Sequence, residues 1–190
     1  MKTPERVAAM IEFPLQKVFT LIEPGPVLLL TTAAGRRKNI MTLSWSMVMD
    51  FSGNIAIVTG SWNHSFETLM KTGECVLAVP GADLMETVIG IGTCSGADTD
   101  KFGAFGLTAK KGGEVRAPLI EECLANIECR VADYVEAHSL IVLSAVRAWT
   151  NPDRRERRTF HAVGDGTFVI DGRHVRNLRG RMESKLPPGV

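Results

Sequence analysis

Val27-Leu-Leu-Leu-Thr-Thr-Ala-Ala-Gly-Arg-Arg-Lys-Asn-Ile-Met-Thr-Leu-Ser-Trp-Ser-Met-Val-Met49 reads as two strands around a short polar turn. The first, Val27 to Thr32, is apolar and rich in strand formers, and the run from Ala33 to Asn39 breaks it. The second starts at Ile40 and continues to Met49. So short a polar connection predicts a hairpin. Alternation in the second strand puts Met41, Leu43, Trp45 and Met47 on one face, with Thr42, Ser44 and Ser46 on the other. A row of hydroxyls serves equally as a solvent face or as a wall facing a ligand, and the strand alone does not choose between them.

Outward from this hairpin, strand signals continue. Asn54 to Thr59 and Cys75 to Val79 are further strands. Leu124 to Val131 alternates, with Ile127, Cys129 and Val131 on one face and Glu128 and Arg130 on the other. Ser139 to Val146 is apolar on both faces, as a central strand is. Helices are few. Ser65 offers an N-cap to a segment that stops at Gly73, and Asp83 with Glu86 has the spacing of a capping box ahead of Gly90 and Gly92. Asp98 to Gly106 reads as a third, short helix. Many short strands with interspersed helices predict a mainly β barrel rather than a doubly wound sheet, and no GxGxxG follows a strand. One domain over 1–190 is expected, with a core of about 24–146 and a C-terminal extension over 147–190 whose last part, from Asp171, reads as a docking arm or loose tail.

Composition narrows the function classes. Among 190 residues, 45% are hydrophobic and 23% charged, ordinary for a folded domain, and the net charge of +1 gives no electrostatic footprint for nucleic acid or an anionic membrane surface. No apolar run approaches the length of a membrane span. The stretch after Met1 mixes charged with apolar residues, unlike a secretion signal, so a cytoplasmic location is expected. The four cysteines, 75, 94, 123 and 129, form no CxxC pair and are expected to be reduced; Cys75 and Cys129 read as small core hydrophobes. Four scattered histidines suggest no metal site.

Three segments bear chemistry. Thr59-Gly-Ser-Trp-Asn-His-Ser-Phe-Glu-Thr68 gathers hydroxyls, an Asn and a His at the start of a helix, which reads as a well-capped surface helix or as a seat for phosphate. Cys94-Ser-Gly-Ala-Asp-Thr-Asp-Lys101 places a lysine in the first turn of a short helix, against the macrodipole. Either Asp98 or Asp100 neutralises it locally, or an anion sits between the ammonium and the helix start. Ser95-Gly96 lets a backbone approach a ligand closely. Cys94 beside this loop is read as an ordinary loop cysteine, with a redox role as the alternative. His138 precedes the strand at Ser139, where a structural histidine is the plainer reading. Arg154-Arg-Glu-Arg-Arg158 is read as a solvated charged loop.

In order and spacing, Asn39 to Ser46, His64 to Pro80, Ser95 to Thr108, Ala117 to Cys129 and Glu136 to Leu140 resemble the flavin reductase-like, FMN-binding split-barrel family, the flavoredoxin type within it. The resemblance implies a six-stranded antiparallel Greek-key barrel, a homodimer with FMN near the subunit interface, and oxidoreductase activity. Asn39 and Trp45 match family positions that contact the flavin, and Met41, Thr42, Ser44 and Ser46 lie on the strand that lines it. Ser65 resembles the hydroxyl near flavin N5, Lys101 the lysine on the phosphate, and His138 a histidine close to the flavin. Ser61, His64, Thr68, Cys94, Ser95 and Gly96 fall in the matching cofactor-binding segments. Relatives carry a basic residue at the end of the third strand where this chain has Gly60-Ser61, and from Arg147 on the likeness is poor. The implied activity is an NADH- or NADPH-dependent flavin reductase; the alternative is a flavoredoxin-like electron carrier that serves a redox protein partner without its own nicotinamide site.

Overall fold

The computed structural model describes residues 10–188, so the stretch read above for a secretion signal, Met1 to Ala9, lies outside the described residues. Twelve strands are formed: β1 (Ile11–Phe13), β2 (Leu28–Ala34), β3 (Arg37–Leu43), β4 (Ser46–Val48), β5 (Asn54–Val58), β6 (Glu74–Val79), β7 (Ala109–Lys110), β8 (Leu119–Ile120), β9 (Ala125–Val135), β10 (Leu140–Thr150), β11 (Phe160–Ala162) and β12 (Phe168–Ile170). Four short α-helices accompany them: α1 (Ser65–Thr72), α2 (Met85–Gly92), α3 (Lys101–Ala104) and α4 (Arg179–Met182). None of the described helices is long and apolar enough to cross a membrane.

The main sheet is antiparallel, in the order β3-β2-β6-β9-β10-β5-β4, with β1 added on β10. Its first and last strands are neighbours in the chain. β3 pairs β2 from Leu28↔Leu43 to Ala34↔Arg37, and β4 pairs β5 through Ser46↔Ile57. Residues 37–48 therefore hold one side of the sheet and then the other, which curls it into a barrel. With that segment counted once, the barrel has the six strands expected. The sequence reading of one strand from Ile40 to Met49 is corrected at Ser44-Trp45, where the chain leaves β2 for β5 and the Trp45 carbonyl already accepts the Val58 N–H at 3.1 Å. Alternation does not carry across that change of partner. Met41 and Leu43 are buried in the barrel, whereas Trp45 and Met47, expected beside them, are 63% and 58% exposed.

The barrel interior is filled by Leu28, Leu30, Met41, Leu43, Ile55, Ile57, Leu77, Ile127, Ile141 and Leu143. Each fully buried aliphatic side chain contributes roughly 1.5–3 kcal/mol by its removal from water. β2 is apolar on both faces because Leu29 points outward into a second cluster with Ile40, Val88, Ile91, Phe102 and Phe160, where α2, α3 and β11 cover the sheet. Cys75 and Cys129 face each other in register on β6 and β9 as buried free thiols.

Several local expectations are corrected. Ser65 is the first helical residue of α1 rather than its cap, and its hydroxyl is engaged elsewhere. Asp83 lies in a 3-10 turn before α2 and binds the Arg154 guanidinium instead of capping the helix. α3 is shorter than Asp98 to Gly106, and Asp100 caps it by accepting the Gly103 N–H. Glu128 is fully buried, unlike the exposed Arg130, its carboxylate accepting the N–H groups of Gly113, Glu114 and Val115 and the Trp149 indole N–H. The arginine run is not simply solvated, because Arg154 pairs with Asp83, Arg157 donates to the Asn151 carbonyl and Arg158 pairs with Glu156. β10 runs past Val146 to Thr150, and the β11–β12 hairpin seats Phe160 in the second cluster while its carbonyl accepts the Val27 N–H.

Candidate functional site

Three pieces of chain converge at one end of the barrel around a cleft of about 230 Å³. β3 contributes Asn39, Met41 and Thr42; the turn into α1 contributes Trp62, Asn63, His64 and Ser65; the end of α2 and the following loop contribute Ile91 to Gly96, with Lys101 from α3. The walls are tied together. The Asn39 Nδ2 donates to Ser65 Oγ at 2.9 Å, and Thr42 Oγ1 donates to the Val88 carbonyl at 2.6 Å. Gly96 lies so close to β3 that any side chain there would overlap the Asn39 carboxamide. The close approach made by this glycine is to the Asn39 side chain.

Lys101 is the dominant charge of the cleft. It is 6% exposed, and its Nζ donates to the Ile91 carbonyl at 2.8 Å. Among the described residues no carboxylate lies within ion-pair distance of it, and Asp100 is spent on capping Gly103. Neither Asp98 nor Asp100 neutralises it by an ion pair; the partner its ammonium has is the Ile91 carbonyl. Burial holds the Lys101 pKa below its ordinary value, with Cys94 acting in the opposite direction. A buried, unpaired cation is costly, and an anion entering the cleft relieves that cost.

The cleft brings together Asn39, Met41, Thr42, His64, Ser65, Cys94, Ser95, Gly96 and Lys101 of the residues read from the sequence. It does not include Ser44, Trp45, Ser46, Ser61, Thr68 or His138. Ser44 and Trp45 are exposed at the break between β3 and β4; Ser46 is half-buried with its Oγ unbonded. Ser61 is exposed in the turn, and Thr68 lies farther along α1. His138 is exposed in a 3-10 turn whose next residue, Ser139, takes a left-handed φ of 51° and accepts the Thr59 N–H. Trp62, Asn63, Ile91, Gly92 and Thr93 were not singled out as site residues. Trp62 and Asn63 sit inside a segment already suspected. Ile91 is invisible from sequence because an apolar residue on an amphipathic helix reads as core.

A cleft lined mainly by amide, hydroxyl and backbone polar groups, with one buried ammonium, suits a polar ligand that carries an anionic group. Among the described residues no cluster of His, Cys, Asp or Glu is placed to hold a metal ion. Residues 22–178 match the family described as the flavin reductase like domain. The uncharacterized protein YddH of Escherichia coli is 30% identical over 187 residues, which span 89% of this chain and 98% of that protein. The solved FMN-binding domain of a flavin reductases-like enzyme from Shewanella baltica aligns with a TM-score of 0.83 at 18% identity, over 91% of this chain and 100% of that one. Flavoredoxin of Desulfovibrio vulgaris aligns at 0.72 and 20% identity, over 81% and 90% of the two chains.

Proposed function

The chain belongs to the flavin reductase-like domain family, and on that premise we propose that it is an FMN-binding oxidoreductase whose cofactor lies in the cleft between β3, α1 and the loop after α2. The observation that carries this reading is the buried Lys101 ammonium, which lines the cleft without a carboxylate partner among the described residues. Lys101 holds the phosphate as a charge-assisted partner, with Ser95 and Gly96 beside it. Asn39, Thr42 and Ser65, which line the cleft, bring amide and hydroxyl groups to the polar edge of the ring. The flavin supplies hydride and electron transfer at N5; the protein supplies position and electrostatics.

NADH or NADPH is the proposed electron donor, and the exposed rim of the cleft is where a nicotinamide would enter. The exposed apolar side chains Trp45, Met47, Met49 and Phe51, outside β4 and the turn after it, are proposed as the contact with a second copy of the chain. A cytoplasmic setting is part of the same reading. Stopped-flow mixing of the FMN-loaded protein with NADH and with NADPH tests the reductase assignment. Loss of the oxidised flavin absorbance with either donor supports it. Failure with both donors overturns it and leaves an electron carrier.

A further inference from the structure

Trp62 is the large aromatic side chain of the cleft, and it is left 62% exposed. An indole in water forfeits the burial that makes tryptophan useful, so one held at the rim of a cleft marks a contact to be made. It is held firmly. The six-membered edge of the ring rests on Gly60, and a Cβ at residue 60 would come within 2.8 Å of Cε3, Cζ3 and Cη2. The turn beneath it is closed by the Asn63 N–H to the Gly60 carbonyl at 2.9 Å and by Asn63 Nδ2 to Thr59 Oγ1 at 3.0 Å. Thr59 is itself anchored by its N–H to the Ser139 carbonyl at 3.1 Å. The polypeptide thus spends a residue without a side chain to seat an aromatic plate on the lining of the cleft.

We propose that Trp62 stacks on the ring of the bound flavin at one side of the cleft, with Gly60 as the positioning residue that seats it. This rests on the FMN reading above and deepens it.

The test uses the full chain saturated with FMN and reads flavin fluorescence and affinity in the wild type, W62F, W62L and G60A. Stacked indole quenches flavin emission by electron transfer, which a merely structural role does not do. Wild-type emission is expected to be strongly quenched and to recover severalfold in W62L and W62F. The dissociation constant rises about three- to tenfold in W62L, the worth of a lost aromatic stack. G60A, which displaces the indole without removing it, moves both readouts the same way. Because Trp62 is largely exposed, W62L keeps the wild-type melting temperature and decides the matter even where G60A unfolds. Emission and affinity identical in the wild type and W62L overturn the role of Trp62 alone. A wild type that binds no FMN overturns the reading of the cleft together with it.

Discussion

Asn39 and Ser65, 26 residues apart in sequence, meet at the wall of the cleft, where the Asn39 carboxamide donates to Ser65 Oγ at 2.9 Å. Ser65 is buried, and its hydroxyl acts here as an acceptor, so its own proton remains available to a ligand. Ser65→Ala removes that donor and strands the Asn39 NH₂. Affinity for FMN is expected to fall about fivefold, the worth of a hydrogen bond of about 1 kcal/mol. Titration followed by flavin fluorescence checks this, and an unchanged dissociation constant would take Ser65 out of the site.

Glu128 gives a stability prediction remote from the cleft. Burial by itself would raise its pKa, but the N–H groups of Gly113, Glu114 and Val115 and the Trp149 indole outweigh it and hold the carboxyl below its ordinary 4.5. A depressed folded pKa means the stabilisation is present above that ordinary value and is lost as pH falls through the folded one. E128Q turns an NH₂ group toward these donors and should cost about 2–4 kcal/mol in urea unfolding near neutral pH. Its stability should also fall less steeply than the wild type's in acid. A loss under about 0.5 kcal/mol would mean that the loop is not held by this carboxylate.

His161 answers to pH with the opposite sign. Its Nδ1 lies 3.0 Å from the Gly25 carbonyl and its Nε2 lies 2.7 Å from Asp171 Oδ1. Both partners only accept, so the contacts favour the protonated ring, in which both nitrogens donate. Burial works against the charge, but Asp171 and the Gly25 carbonyl prevail and raise the pKa above 6.5. The contribution is complete below that value and is lost as pH rises through the higher folded one. Melting curves across this range should show the wild type losing up to about 1 kcal/mol that His161→Ala never had. Parallel curves for the two proteins would show that the His161–Asp171 contact adds no pH-dependent stability.

Thiol chemistry separates the cleft from the core. Cys123 and Cys129 are fully buried and their pKa values are raised, Cys123 chiefly by burial and Cys129 chiefly by its hydrogen bond with Cys75. Cys94 is half-buried and lines the cleft. Labelling of the native protein with a disulfide reagent should therefore modify Cys94 first, with the others reacting on unfolding, and saturating FMN should slow it. Equal rates with and without FMN would place the ligand elsewhere.

Much of this molecule was legible in its residues because the strands obey period two and the turns carry their own chemistry. The barrel, the β2–β3 hairpin and α1 with its Gly73 stop follow from local pattern. What was illegible depends on partners distant in sequence. Nothing at Ser44-Trp45 announces that the strand changes neighbours there, and so the faces of Trp45 and Met47 were misassigned. Alternation puts Glu128 on a face with Arg130 but does not show its burial, because the loop that shelters it, Gly113 to Val115, carries no signal of where it folds. In the cleft, Lys101 stood out because a cation opposes the helix start, whereas Ile91 looked like any core residue. Ser65 was read as a cap, its commonest use at a helix start, until Asn39 claimed its oxygen.

In the proposed site the Lys101 ammonium meets the terminal phosphate of FMN. The most direct test of this contact compares the affinities of FMN and riboflavin, which lacks that phosphate, for the wild type and for Lys101→Met. The account predicts that the wild type prefers FMN by about five- to 150-fold, the equivalent of 1–3 kcal/mol for a charge-assisted contact, and that the variant binds the two flavins nearly equally. A wild type indifferent to the phosphate, or a variant that keeps the full preference, contradicts it.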